Sequence, residues 1–258
     1  MFANYHTHTW RCQHARGTEK EYVENAIRGG LKILGFSDHT PMPYPQGHVS
    51  NVKMRLDQLE GYVDTVLRLK QEYADQIDIR LGLEVEYYPA YFDELLEITG
   101  QYPIEYFLLG QHFLGNEIGE APCGDPTADE KRLERYCSQS LEALRTGCFT
   151  YFAHPDVLNF TGEGKIYDRC MRGLCQGARE IGIPLEINFL GIRTKRHYPN
   201  ERFWEIAGQE KNQVVFGSDA HGPATVWDSE SIAVAERMVQ RYGLKLTDTV
   251  AFRRPGRS

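Results

Sequence analysis

A repeating unit constrains this chain more than any single motif does. Seven times, a short apolar run is followed by a longer amphipathic stretch. FANYHTH precedes EKEYVENAIRGG, KILGFSDH precedes VKMRLDQLEGYVDTVLRLKQEY, and DIRLGLEVEY precedes AYFDELLEITGQ. EYFLLGQHFL, TYFAHPD, PLEINFL and VVFGSDAH open the other four units. Within the second long stretch Leu56, Leu59, Val63, Val66 and Leu67 recur at steps of three and four, the spacing of one helical face. Gly29, Gly30, Gly147 and Gly182 stand where helices should end. Repeated βα alternation predicts a parallel sheet with helices outside it.

Seven such units in 258 residues, with no linker between them, predict one closed or nearly closed α/β barrel over residues 1–252. An open doubly wound sheet would use the same alternation, but no GxGxxG or P-loop follows the first strand. Residues 253–258, RRPGRS within the final stretch, read as a disordered tail. The net charge of −7 argues against nucleic acid as the main partner, because duplex binders carry a basic face. No stretch approaches the ~20 apolar residues of a membrane span. The N-terminus lacks the basic and apolar regions of a signal peptide, so a cytoplasmic location is expected. The six cysteines form no CxxC pair, which disfavours a structural zinc knuckle or a redox motif.

The polar residues fall where these strands should end. The first strand leads into His6 and His8, the second into Asp38 and His39, and the third carries Glu84. The fourth leads into His112, the fifth into His154, the sixth into Asn188, and the seventh into Asp219 and His221. Six of the nine histidines stand at these ends, with His14 in the loop after the first. In a βα barrel all these ends meet at one rim, where the active sites of this architecture lie. One histidine at a strand end is usually an ordinary hydrogen-bonded residue. Six of them together with two acids would be costly to bury unless divalent metals were among them. Imidazole and carboxylate without thiolate suit Zn, Mn or Fe. At roughly four ligands per Zn-like ion, this set predicts two to three ions.

Taken together, HTH, SDH, the GLE strand, QHF, AHPD and SDAH resemble the PHP (polymerase and histidinol phosphatase) family, in that family's order and over nearly the whole chain. The resemblance implies a distorted (β/α)7 barrel of TIM-like type with a metal site at the C-terminal rim of its strands. It also implies a trinuclear ligand set. His6, His8, Glu84 and Asp219 would hold one ion. Glu84 would bridge to a second, completed by His112 and His154. His14, His39 and His221 would hold a third. SDHTPMP, GLEVEYYP and INFLGIR with YP downstream are similar to the stand-alone histidinol-phosphate phosphatases of that family. Gln111 departs from the pattern, standing where a small residue is expected.

That resemblance implies hydrolysis of L-histidinol phosphate, a step of histidine biosynthesis, by a hydroxide bridging two metals. Other phosphoesterases of the family, cleaving nucleotide diesters or phosphotyrosine, and a polymerase-associated module are the competing expectations. Asp219 is expected among the catalytic groups. Arg193 is assigned to the phosphate, because a planar guanidinium fork matches phosphate oxygens. Lys195 and Arg196 beside it read as solvated charges. His197 is a candidate for phosphate contact or proton donation. His48, in the Pro-rich loop after the second strand, is a candidate substrate contact. Glu117 is placed against a cationic end of the substrate, and Asp38 behind a metal ligand.

Overall fold

A computed structural model of the chain describes residues 1–45 and 48–256. Its strands are β1 (Ala3–Asn4), β2 (Ile33–His39), β3 (Asp78–Val85), β4 (Tyr106–Leu109), β5 (Phe149–Phe152), β6 (Leu185–Asn188), β7 (Gln213–Gly217) and β8 (Lys245–Leu246). All pair in parallel and in sequence order, β1 to β8. The seven expected strands are present, and the sheet curls into the distorted TIM-like barrel. Beyond the rim end of β1 the chain bridges to the segment after β7. There Thr7 pairs with Ala220, and His8 N donates to Ala220 O at 3.0 Å. At the opposite end β7 instead pairs with β8, an unexpected strand of two residues and thus too short to leave a period in the sequence.

Between the strands run α1 (Glu19–Gly29), α2 (Leu59–Glu72), α3 (Phe92–Thr99), α4 (Glu130–Arg145), α5 (Gly164–Ile181), α6 (Phe189–Thr194), α7 (Glu201–Gln209) and α8 (Ser229–Tyr242). Helix α1 opens on a capping box between Thr18 and Glu21 and stops at Gly30. Gly30 takes φ 86°, a left-handed conformation open to glycine at no steric cost. Leu59, Val63 and Val66 of α2 face the core, as the period predicted. Leu56 does not: it lies in the 3-10 turn before the helix and is 45 % exposed. Helix α6 is additional to the seven amphipathic stretches of the sequence. Asn188 starts it by accepting from Gly191 N at 3.1 Å.

Inside the barrel Tyr106 donates its hydroxyl to the carbonyls of Tyr5 and Phe36, at 2.8 and 3.0 Å. A Cβ at Gly82 would lie 2.3 Å from that ring, so only glycine fits there. Phe252 stacks on Tyr106 at 4.8 Å and covers the barrel floor. Just beyond it, Arg253 of the expected tail donates its backbone N–H to Thr150 Oγ1 and its guanidinium to Ile181 O at the end of α5. Residues 257–258 of that tail lie outside the described residues. Among the described residues, no helix is long and apolar enough to cross a membrane.

Candidate metal centre

The chain leaving each of β1 to β7 delivers its polar residue into one pit at the C-terminal rim. Glu84, on β3, sits at its centre. Its Oε1 lies 2.8 Å from His154 Nε2 and 3.7 Å from His112 Nε2. Its Oε2 lies 3.0 Å from His39 Nδ1, 3.4 Å from His6 Nε2 and 3.5 Å from His8 Nε2. Gly110 makes room for this carboxylate, since a Cβ there would fall 2.0 Å from Oε1. Asp219 forms a second hub: Oδ1 is 3.2 Å from His8 Nε2, 3.3 Å from His221 Nδ1 and 3.8 Å from His6 Nε2. At the outer edge His14 Nε2 and His221 Nε2 are 3.0 Å apart. All nine residues singled out as ligands thus converge. His14, His39 and His221 form one group whose ligand atoms lie within 4.8 Å of one another; His6, His8 and Asp219 form another, and His6, Glu84 and His154 a third.

Four of the facing atoms have no hydrogen-bond partner: His6 Nε2, His8 Nε2, Glu84 Oε2 and Asp219 Oδ1. Buried polar atoms are rarely left so, and the cost is largest for charged groups. A divalent cation among them would satisfy all four, and an imidazole and carboxylate donor set suits the Zn class. Despite burial, the neighbouring carboxylates raise His6 well above the usual imidazole range, His8 to about 9 and His154 upward, the response of rings facing several anions at once. His6 in turn holds the carboxyls of Glu84 and Asp219 well below the usual range despite their burial. Burial pushes His39 well down, and burial together with His221 and His8 lowers His14 to about 4, so both keep a free lone pair. His154 and Asp219 take φ values of 32° and 45°, strained for residues other than glycine. Such strain collects at functional sites.

A second layer of carboxylates holds the rim residues. Asp38 stands behind His8: its Oδ1 is 3.4 Å from His8 Nδ1, while its carboxylate also accepts from Thr9 and from His39 N. Glu186, not foreseen from the sequence, accepts from His6 Nδ1 at 2.8 Å, from His154 N at 3.0 Å and from Asn188 Nδ2 at 2.9 Å. Two residues beyond Glu84, Glu86 accepts from His112 N and faces His112 Nδ1 at 3.2 Å. Both acids are buried and stand two residues from a rim residue, Glu186 on β6 before Asn188 and Glu86 one residue past the end of β3 after Glu84. That two-residue step was the available signal. Asn188 itself supports Asp219, donating to Oδ2 at 3.0 Å.

The expected substrate contacts fare differently. A cavity of about 430 Å³ opens over the cluster, walled by Phe113, Leu190 and Tyr198. Arg193 does not line it. Helix α6 turns its guanidinium inward, where it donates to Ser218 O at 2.7 Å and Asp219 O at 2.6 Å. Arg196, read as solvated, lines the cavity instead and donates to Tyr198 Oη at 3.1 Å. His197 Nε2 is engaged by the Val157 carbonyl at 2.7 Å. His48 and Glu117 pair with each other at 2.9 Å, and Glu117 also binds the Lys53 ammonium, so its carboxylate already has a cationic partner.

Residues 4–189 match the PHP domain family. The chain is 30 % identical over 240 residues to a probable histidinol-phosphatase of Deinococcus radiodurans, covering 90 % of each protein. It is 29 % identical over 248 residues to the histidinol-phosphatase of Bacillus subtilis, covering 84 % of this chain and 92 % of that one. Among solved structures, it superposes on a histidinol phosphate phosphatase from Lactococcus lactis, crystallised with zinc, L-histidinol and phosphate. The TM-score is 0.76 and the identity 19 %, with 99 % of this chain and 98 % of that one covered. The fold, the order of the rim residues and these likenesses agree: this chain belongs to the PHP domain family.

Proposed function

We propose that this chain is a metal-dependent phosphomonoesterase that hydrolyses L-histidinol phosphate to L-histidinol and phosphate, a cytoplasmic step of histidine biosynthesis. The observation that carries the proposal is the set of four buried, unpartnered ligand atoms facing one another beneath an open cavity. Relatives of near-full-length coverage bear the histidinol-phosphatase name. In this reading His6, His8, Glu84 and Asp219 hold one ion. Glu84, His112 and His154 hold a second, and His14, His39 and His221 hold a third.

When bound, two to three Zn, Mn or Fe ions supply Lewis-acid polarisation of the phosphoryl group and acidify water. The chain supplies the rest. Asp219 stays ionised, and Asn188 fixes its free oxygen, so the carboxylate can accept a hydrogen bond from water and orient it. Glu186 and Asp38 set the rings of His6 and His8. Arg196, rather than Arg193, carries the guanidinium that reaches an anionic substrate at the cavity wall. Phe113, Leu190 and Tyr198 shield the site from water and bound the organic part of the ester. A phosphate-release screen of purified protein against L-histidinol phosphate, phosphotyrosine and a nucleotide diester tests this. Preference for histidinol phosphate is expected, and comparable or faster cleavage of either other ester would overturn the assignment.

A further inference from the structure

Behind His112 runs a line of buried charge that the proposed hydrolysis does not use. Glu86 Oε1 accepts from His112 N and faces His112 Nδ1, while Oε2 is held by the Lys53 ammonium and the Tyr88 hydroxyl. Lys53 Nζ also lies 2.9 Å from Glu117 Oε2, and Glu117 Oε1 lies 2.9 Å from His48 Nε2. The side chains of Lys53, Glu86 and Glu117 are only 4 %, 2 % and 7 % exposed. Lys53 and His48 both belong to the segment between β2 and α2. That segment is pinned near the rim by Gln13 Nε2, which donates to Ser50 O and Lys53 O at 2.8 Å each. Lys53 also lines the cavity and lies 5.6 Å above the Phe113 ring.

A buried ammonium between two carboxylates is a poor way to gain stability, because desolvating the charges offsets most of their attraction. Apolar residues in place of the whole ionic group would pack as well. What the ion pair does is fix a carboxylate that holds the back of a rim histidine, and such partners set the ring orientation and basicity of metal-binding imidazoles. We propose that Lys53 is a positioning residue, anchoring Glu86 so that His112 presents Nε2 to the metal centre, and thereby coupling the cavity wall at residues 48–53 to the ion that His112 holds. The inference rests on His112 being a metal ligand.

The test is metal retention, followed by chelator competition against the purified holoprotein and four variants, with folding checked by circular dichroism. Lys53→Met should weaken retention of one ion by roughly 10- to 100-fold while the remaining ions leave as in wild type. Lys53→Arg, which keeps the charge, should recover most of that loss. Glu117→Gln leaves the Lys53–Glu86 pair but loosens the wall, so it should raise KM for the phosphate ester with kcat and metal content kept. A folded Lys53→Met that retains every ion as wild type does overturns the proposal. If Lys53→Met does not fold, Glu86→Gln carries the same test, and unchanged retention there overturns it too. Wild-type protein that binds no ion at all overturns the metal reading itself.

Discussion

Glu84 Oε1 sits 2.8 Å from His154 Nε2, while Oε2 of the same carboxylate has no hydrogen-bond partner and faces His6, His8 and His39. One carboxylate therefore addresses two groups of imidazoles from its two oxygens. Glu84→Gln replaces one of those oxygens with an amide nitrogen that cannot ligate. It should lower metal content by at least one equivalent and cut turnover together. Elemental analysis beside a phosphate-release assay checks this, and full metal with near-normal turnover would contradict it.

Glu186 touches no proposed ion but binds His6 Nδ1, His154 N and Asn188. A Cβ at Gly217 would lie 1.6 Å from its Oε1, so the carboxylate is held in a tight seat. Glu186→Gln should reduce metal affinity or activity roughly 10- to 100-fold, the usual cost of losing such a partner. Metal titration of the variant against wild type measures it.

Arg193 and Arg196 should separate stability from substrate binding. Arg193→Ala leaves the carbonyls of Ser218 and Asp219 without their charged donor, which should cost about 2 kcal/mol of stability, read as a lower denaturant midpoint. Arg196→Ala should leave the midpoint in place and lower kcat/KM roughly 10- to 150-fold, the loss of one charge-assisted contact. The reverse pattern would restore Arg193 to the phosphate.

Asp156 gives a pH signature. Its carboxyl, buried where it accepts from Asn200 N and Trp204 Nε1, is raised from 3.8 to about 6 by that burial. The protonated form is the one the fold prefers. Its contribution is therefore complete below pH 3.8 and is lost as pH rises through 6, a change of roughly 2–3 kcal/mol. Asp156→Asn keeps an acceptor oxygen without the charge, so it should raise Tm relative to wild type at pH 8 and show little or no gain at pH 4.

The barrel and the convergence of the rim residues were legible because both follow short periods: βα alternation for the fold, and the last polar residue of each strand for the site. Strand β8 was not, since two residues carry no pattern. Glu186 shares a face of β6 with Asn188, and Glu86 stands one residue past β3 at the same two-residue step from Glu84, but reading one polar residue per strand end passes over both. Arg193 and Arg196 were exchanged for a conformational reason. In an extended loop either could reach the rim, whereas α6, capped by Asn188 and stopped by Lys195 at φ 53°, turns the first inward and leaves the second at the cavity.

In the proposed reaction, hydrolysis depends on ions held by this cluster. Metal content and phosphate release from L-histidinol phosphate, measured on one preparation before chelation, after it and after metal is restored, decide whether it does. Two to three equivalents per chain are predicted, with activity lost on stripping and regained on reloading. Active protein carrying one ion or none, or stripped protein that still releases phosphate at the original rate, would contradict it.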